Sequence, residues 1–266
     1  MPGSILEKLA DLARVRVDAA IARVPLETVR REAEELARLS PAGRFSAALR
    51  KPGLSLICEL KKASPSRGLI SPDFAYEKIA EEYESGGADA LSVLTEPEYF
   101  LGRDEYLTAV SQRVALPLLR KDFTVSEYQI YEAKTLGASA GLLICAITQS
   151  PALRDYIEIA RSVGLDALVE TRTEDEIDTA LAAGAQIIGV NNRDLRDFSE
   201  NLSRAVTLRK YVPADRVFVA ESGIKSGRDT LPLIEAGIDA ALVGEAAMLA
   251  RDKAAFLREL KGGLNG

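Results

Sequence analysis

Eight short apolar runs, separated by amphipathic stretches, predict an α/β fold: a closed (β/α)8 TIM barrel with extra N-terminal helices. Two further observations support that class. A glycine ends the helical pattern ahead of five of the runs, and the repeating part takes up roughly 210 residues, a length that suits eight strand-helix units.

Residues 1–50 read as a helical extension, and residues 1–266 as a single barrel domain that includes it. Leu6, Leu9, Ala13, Val17, Ala20 and Ile21 recur at helical spacing, and Pro25 then starts a second amphipathic run through Val29, Ala33 and Leu36. The apolar runs follow at residues 54–60, 88–94, 116–119, 140–145, 167–169, 186–190, 217–220 and 240–243. Gly87, Gly137, Gly164, Gly184 and Gly237 each mark a helix-to-strand joint, because glycine accepts the left-handed conformation just past a helix end. Continuous apolar strands joined through helices imply a parallel sheet covered on both faces. The alternative is a doubly wound open sheet, which more typically carries a glycine-rich fingerprint after its first strand; "ELKKASPSRG" is not one.

Composition narrows the function. The net charge is −6, with no basic run longer than a pair, so nothing marks a nucleic-acid or membrane surface. Only Cys58 and Cys145 are present, both inside apolar runs, and they read as buried structural thiols of a reducing compartment. No stretch suits a membrane span or an uncharged signal-peptide core, and the cytoplasm is the expected location. Histidine is absent, so acid/base chemistry falls to Lys, Glu, Asp, Tyr or Cys.

The strand ends carry the chemistry. Side chains alternate along a strand, so Glu59 and Lys61 share a face with Ile57 while Leu60 packs outward, which points both charges at the barrel's C-terminal rim. Lys121, Glu170, Asn191 and Glu221 end later strands and are expected around the same mouth. Any one of these charges could be a salt bridge that finishes a strand. Several together are poor stability engineering, because burying an ion costs several kcal/mol unless it is well paired, and function explains the set better. Ser222 and Gly223 after strand seven, and Gly244 and Glu245 after strand eight, suit backbone binding of a phosphate. Phe100 and Phe123 lie beside the mouth and either sandwich an aromatic ring or simply pack. No metal is expected, for want of histidine or a cysteine pair at ligand spacing.

The stretch "ICELKKASPSRG", with "LRKDF", "LVETRT", "IIGVNNRDL", "AESGI" and "LVGEAAM", resembles the indole-3-glycerol phosphate synthase family of tryptophan biosynthesis over nearly the whole chain. The resemblance implies a carboxy-lyase that closes the ring of 1-(2-carboxyphenylamino)-1-deoxyribulose 5-phosphate without a cofactor. It implies that Lys121 is the general acid, Glu170 and Glu59 catalytic glutamates, and Lys61 the lysine that meets the substrate anion. Asn191 joins them as a polar catalytic residue, with Ser64, Phe100, Phe123, Arg193 and Glu221 against the substrate and Ser222, Gly223, Gly244 and Glu245 at its phosphate. Glu245 departs from the small hydroxyl residue of many relatives, so its side chain is expected to turn away and leave its N–H to bind. The expected ligand is a small phosphorylated molecule, and the chain is expected to act as a monomer.

Lys61 works to lower the pKa of Lys121, whereas Glu59 and Glu170 work to raise it, and the sequence leaves the sign open. Two competing readings stay open at this point. One is a Schiff-base aldolase using Lys121 or Lys61; the other is a phosphosugar-binding barrel without turnover.

Overall fold

A computed structural model of the chain describes residues 4–194 and 198–262; Leu195, the last residue of the "NNRDL" motif, lies outside them. Eight strands close into a barrel: β1 (Ser55–Leu60), β2 (Ala90–Leu94), β3 (Leu118–Lys121), β4 (Ala140–Ile144), β5 (Asp166–Thr171), β6 (Ile187–Asn191), β7 (Val217–Glu221) and β8 (Ala240–Val243). Neighbours pair in parallel, and β8 returns to β1 with Ser55 beside Ala240 and Cys58 beside Val243, so the barrel has no open edge.

Helices α1 (Ile5–Arg23), α2 (Leu26–Leu39) and α3 (Arg44–Leu49) precede the barrel. Around it run α4 (Tyr76–Ser85), α5 (Asp104–Arg113), α6 (Glu127–Thr135), α7 (Ser150–Ser162), α8 (Glu174–Ala182), α9 (Ser203–Leu208), α10 (Gly227–Glu235), α11 (Glu245–Leu249) and α12 (Lys253–Leu260). The five glycines read as helix-to-strand joints all have positive φ, from 67° at Gly237 to 94° at Gly87.

Alternation along the strands divides the core in two. Ile57, Leu119, Leu142, Leu168, Ile187, Val217 and Leu242 fill the barrel interior. Their neighbours Leu56, Cys58, Leu60, Leu118, Leu143, Val169 and Phe218 pack outward with the helices. Each such residue buried contributes on the order of 1.5–3 kcal/mol. The N-terminal helices finish the interior: Phe45 and Leu49 of α3 and Leu9 and Ala13 of α1 belong to the same inner cluster.

Several strands run past their apolar runs. β3 continues through Arg120 and Lys121, β5 spans Asp166–Thr171, β6 ends at Asn191 and β7 at Glu221. The ladder is made by the backbone, so it persists under polar side chains once the barrel mouth can accept them. Two helical stripes also differ from expectation. Ile21 and Leu36 are each 37 % exposed, because the buried stripes run through Ala20 of α1 and through Val29 and Ala33 of α2 toward Ala37, about 100° away around the helix from each. Cys58 is buried, but Cys145 is only half-buried, in a short 3₁₀ turn after β4, and both are free. Burial pushes both thiols above their ordinary range. No helix among the described residues is long and apolar enough to cross a membrane.

Candidate active site

At the C-terminal ends of the strands lies a cavity of about 300 Å³. All of the residues that the sequence singles out line it: Glu59, Lys61, Lys121, Glu170, Asn191 and Glu221 from the strand ends, Ser64, Phe100, Phe123 and Arg193 from the loops, and Ser222, Gly223, Gly244 and Glu245 after β7 and β8. Helix α1 also reaches the cavity, through Ile5 and Leu9.

The charges form two linked groups. Lys61 Nζ lies 2.6 Å from Glu59 Oε2, and Ser92 Oγ, inward on β2, donates to Glu59 Oε1 at 3.5 Å. Lys121 Nζ stands between Glu170 Oε2 at 3.6 Å and Glu221 Oε2 at 3.5 Å. The Glu221 oxygens are buried and accept no hydrogen bond among the described residues; the Lys121 ammonium is what meets them.

Two glycines make this crowding possible. A Cβ on Gly189 in β6 would stand 2.2 Å from Glu221 Oε1, and one on Gly244 would stand 2.6 Å from both Glu59 Oε2 and Lys61 Nζ. Neither position tolerates a side chain while the carboxylates stay in place. A glycine inside an apolar strand is the sequence signal for such an approach, and Gly189 carried it unread.

The balance left open for Lys121 resolves toward the ammonium. Burial works to lower its pKa, but Glu221, Glu170 and Glu59 outweigh that and hold it above the ordinary lysine value. Burial likewise works to raise Glu59, yet Lys61 and Lys121 hold it below the ordinary carboxylate range. For Glu221 burial prevails and pushes the carboxyl up to about 8; Lys121 opposes the rise, and Glu170 and Glu59 add to it.

The rest of the mouth is a rim of loops. Phe100 and Phe123 stand 6.2 Å apart between ring centroids, tilted by 39°, and together give the cavity an aromatic wall. Ser222 and Gly223 are both left-handed, with φ of 68° and 83°. Glu245 begins α11 beside Gly244, and its carboxylate meets the Arg67 guanidinium at 3.4 Å. Arg193 donates to Ser66 Oγ at 2.8 Å and is paired with Glu200, which also meets Lys225 Nζ at 3.0 Å. Its backbone N–H donates to Asn191 Oδ1 at 3.0 Å, so strand end and rim are joined.

Sequence reasoning did not single out Ser66, Arg67, Glu200, Lys225, Ile5 and Leu9, which line or rim the mouth, nor Ser92 beneath it. Glu200 is half-buried and Lys225 exposed, both in irregular segments with no periodic pattern to reveal them. Ser66 was within reach, since it lies two residues beyond Ser64 in the loop after β1.

The chain matches the family described as "Indole-3-glycerol phosphate synthase" over residues 6–260. It is 46% identical over 258 residues to the indole-3-glycerol phosphate synthase of Ruminiclostridium cellulolyticum, covering 97% of this chain and 99% of that one. To the protein of the same name from Lactiplantibacillus plantarum it is 46% identical over 263 residues, 98% of this chain and 100% of the other. Among solved structures, 3-hexulose-6-phosphate synthase from Salmonella typhimurium superposes with a TM-score of 0.64 at 16% identity, over 79% of this chain and 97% of that one, a likeness of fold alone. With a family match from residue 6 to residue 260 and relatives aligned end to end, this chain belongs to the indole-3-glycerol phosphate synthase family.

Proposed function

We propose that the chain is an indole-3-glycerol phosphate synthase, closing the ring of 1-(2-carboxyphenylamino)-1-deoxyribulose 5-phosphate with loss of carbon dioxide and water. The observation that carries this reading is Lys121, kept as an ammonium between Glu170 and Glu221, with the Glu59–Lys61 pair nearby and two phenyl rings lining the same cavity.

Ring closure joins the aromatic carbon bearing the carboxylate to the ketone carbon, and the ketone oxygen needs a proton as its negative charge develops. Lys121 supplies it, and the Glu170 and Glu59 carboxylates nearby favour the ammonium that has the proton to give. The product of that step is an iminium ion, which takes up the electron pair when carbon dioxide departs, so the reaction calls for no cofactor. Dehydration then needs an acid for the departing hydroxyl and a base for a ring proton. Glu170 is suited to be the base and Lys61 to meet the substrate's anion, with Glu59 orienting Lys61 through their 2.6 Å contact. Asn191 holds the rim at Arg193, while Ser64 and Arg193 face the substrate. Phe100 and Phe123 take the aromatic ring, and backbone at Ser222, Gly223, Gly244 and Glu245 takes the phosphate.

A Schiff-base aldolase would need one lysine uncharged, and the carboxylates around Lys121 favour the opposite state. In the same reading the enzyme works as a cytoplasmic monomer, and its two free thiols suit a reducing compartment. Continuous indole fluorescence with this substrate, in the absence of added metal or cofactor, tests the proposal. Growing emission with one carbon dioxide per indole is expected; a folded protein that produces neither overturns it.

A further inference from the structure

The loop after β2 is folded around a carboxylate that lies outside the charged cluster and has been given no role above. Glu96 is fully buried. Its Oε1 accepts the backbone N–H of Glu98 at 2.9 Å, and its Oε2 accepts those of Tyr99 and Phe100 at 2.8 and 2.9 Å. Its own carbonyl accepts the N–H of Gly102 at 2.8 Å. Three consecutive backbone N–H groups thus converge on one side chain, which ties the turn down at several points.

The turn is also a demanding one. Leu101 is left-handed, with φ of 52°, and a Cβ on Gly102 would stand 2.4 Å from the Leu94 carbonyl oxygen. Such a conformation persists only where its surroundings over-determine it, and the Glu96 carboxylate supplies three of those constraints.

Both consequences fall on the cavity. Tyr99 and Phe100 pack against the inner core, as do Ile5 and Leu6 of α1, and the Phe100 ring lines the cavity together with Phe123. The Phe100 carbonyl accepts the N–H of Ala63 at 3.3 Å, so the same turn steadies the segment two residues beyond Lys61.

We infer that Glu96 is a positioning residue for the aromatic wall: it aims Phe100 at the substrate's ring and so sets affinity for that ring without taking part in proton transfer. The inference rests on the synthase reading above and adds to it the residue that governs ring recognition.

The test is a double-mutant cycle in the full chain, measuring KM and kcat for the parent, Glu96→Gln, Phe100→Ala and the double variant. Inhibition by glycerol 3-phosphate, which carries the phosphate end without the ring, is measured alongside. Glu96→Gln is expected to raise KM about tenfold and keep kcat within about threefold, the pattern of lost uniform binding. It should leave glycerol 3-phosphate inhibition unchanged and add little once Phe100 is already alanine. Additive effects in the cycle, an unchanged KM, or an equal loss of glycerol 3-phosphate inhibition would overturn the inference. Should the glutamine variant not fold, Glu96→Asp, which keeps the carboxyl group on a shorter arm, enters the same cycle under the same criteria. A parent without turnover sinks the synthase reading itself, whereas an active parent beside an unaffected Glu96→Gln sinks only the positioning role.

Discussion

The Arg16 guanidinium in α1 meets the Asp122 carboxylate, just past the end of β3, through two hydrogen bonds of 2.7 and 3.0 Å. Asp122 also accepts from Thr95 Oγ1 at 2.6 Å and from the Phe123 N–H at 2.8 Å. It directly follows Lys121, so a helix outside the barrel is tied to the segment that carries the ammonium of the site. Ile5 and Leu9, from the same helix, line the cavity.

Arg16→Ala should therefore loosen both the fold and the mouth. Loss of a charge-assisted hydrogen-bonded partner to a buried carboxylate costs about 1–3 kcal/mol, read as a lower urea midpoint in a transition expected to stay single, since α1 and α3 pack into the inner core. Burial works to raise Asp122, but Arg16 holds it below the ordinary carboxylate range. Its stabilising contribution is thus present above that range and lost as pH falls through the depressed value, so the variant should show a smaller acid-side loss of stability than the parent.

Glu221 makes the opposite prediction. With its pKa raised to about 8, it binds a proton at neutral pH in the free protein. Above about 8 it adds a negative charge beside Glu170 and Glu59, facing an anionic substrate, so kcat/KM should fall on that limb. In Glu221→Gln the limb near 8 should vanish; its persistence would assign it to another group. The same sign applies to stability: Glu221's contribution is full below the ordinary carboxylate value and fades as pH rises through about 8.

Gly189→Ala tests whether the carboxylate cluster requires the gap in β6. Its Cβ would fall 2.2 Å from Glu221 Oε1, and overpacking of this kind costs about 1–3 kcal/mol. Adding Glu221→Ala should recover much of the thermal stability without recovering activity. A stable and fully active single variant would show that Glu221 has no fixed place.

Glu59→Gln and Lys61→Ala should each reduce kcat strongly, by on the order of 10²–10⁴ if either group moves a proton, while far-ultraviolet circular dichroism stays that of the parent. Equal losses in the two variants, with no further loss on combining them, would identify the 2.6 Å pair as one unit.

The barrel was legible in the sequence because its strands obey a simple constraint: one face packs on helices, the other on the interior, and both need apolar residues such as Leu56 and Ile57. The site was legible for the complementary reason, since Glu59, Lys121, Glu170 and Glu221 break that constraint on the inward register. What stayed hidden depended on distance in the chain. Arg16 lies 106 residues from Asp122, and no local pattern links them. Glu200 and Glu96 sit in irregular loops, where burial and partners are set by tertiary packing. The two-stranded hairpin formed by Ala63–Ser64 with Gly68–Leu69 also escaped, because strands of two residues leave no period to read.

In the proposed reaction Lys121, charged between Glu170 and Glu221, delivers the proton for ring closure. Single-turnover indole fluorescence with the parent and with Lys121→Ala decides whether it does. Indole formation should collapse by at least about 10²-fold in a variant that still folds and still binds the substrate. Ring closure at the parental rate in Lys121→Ala would contradict it.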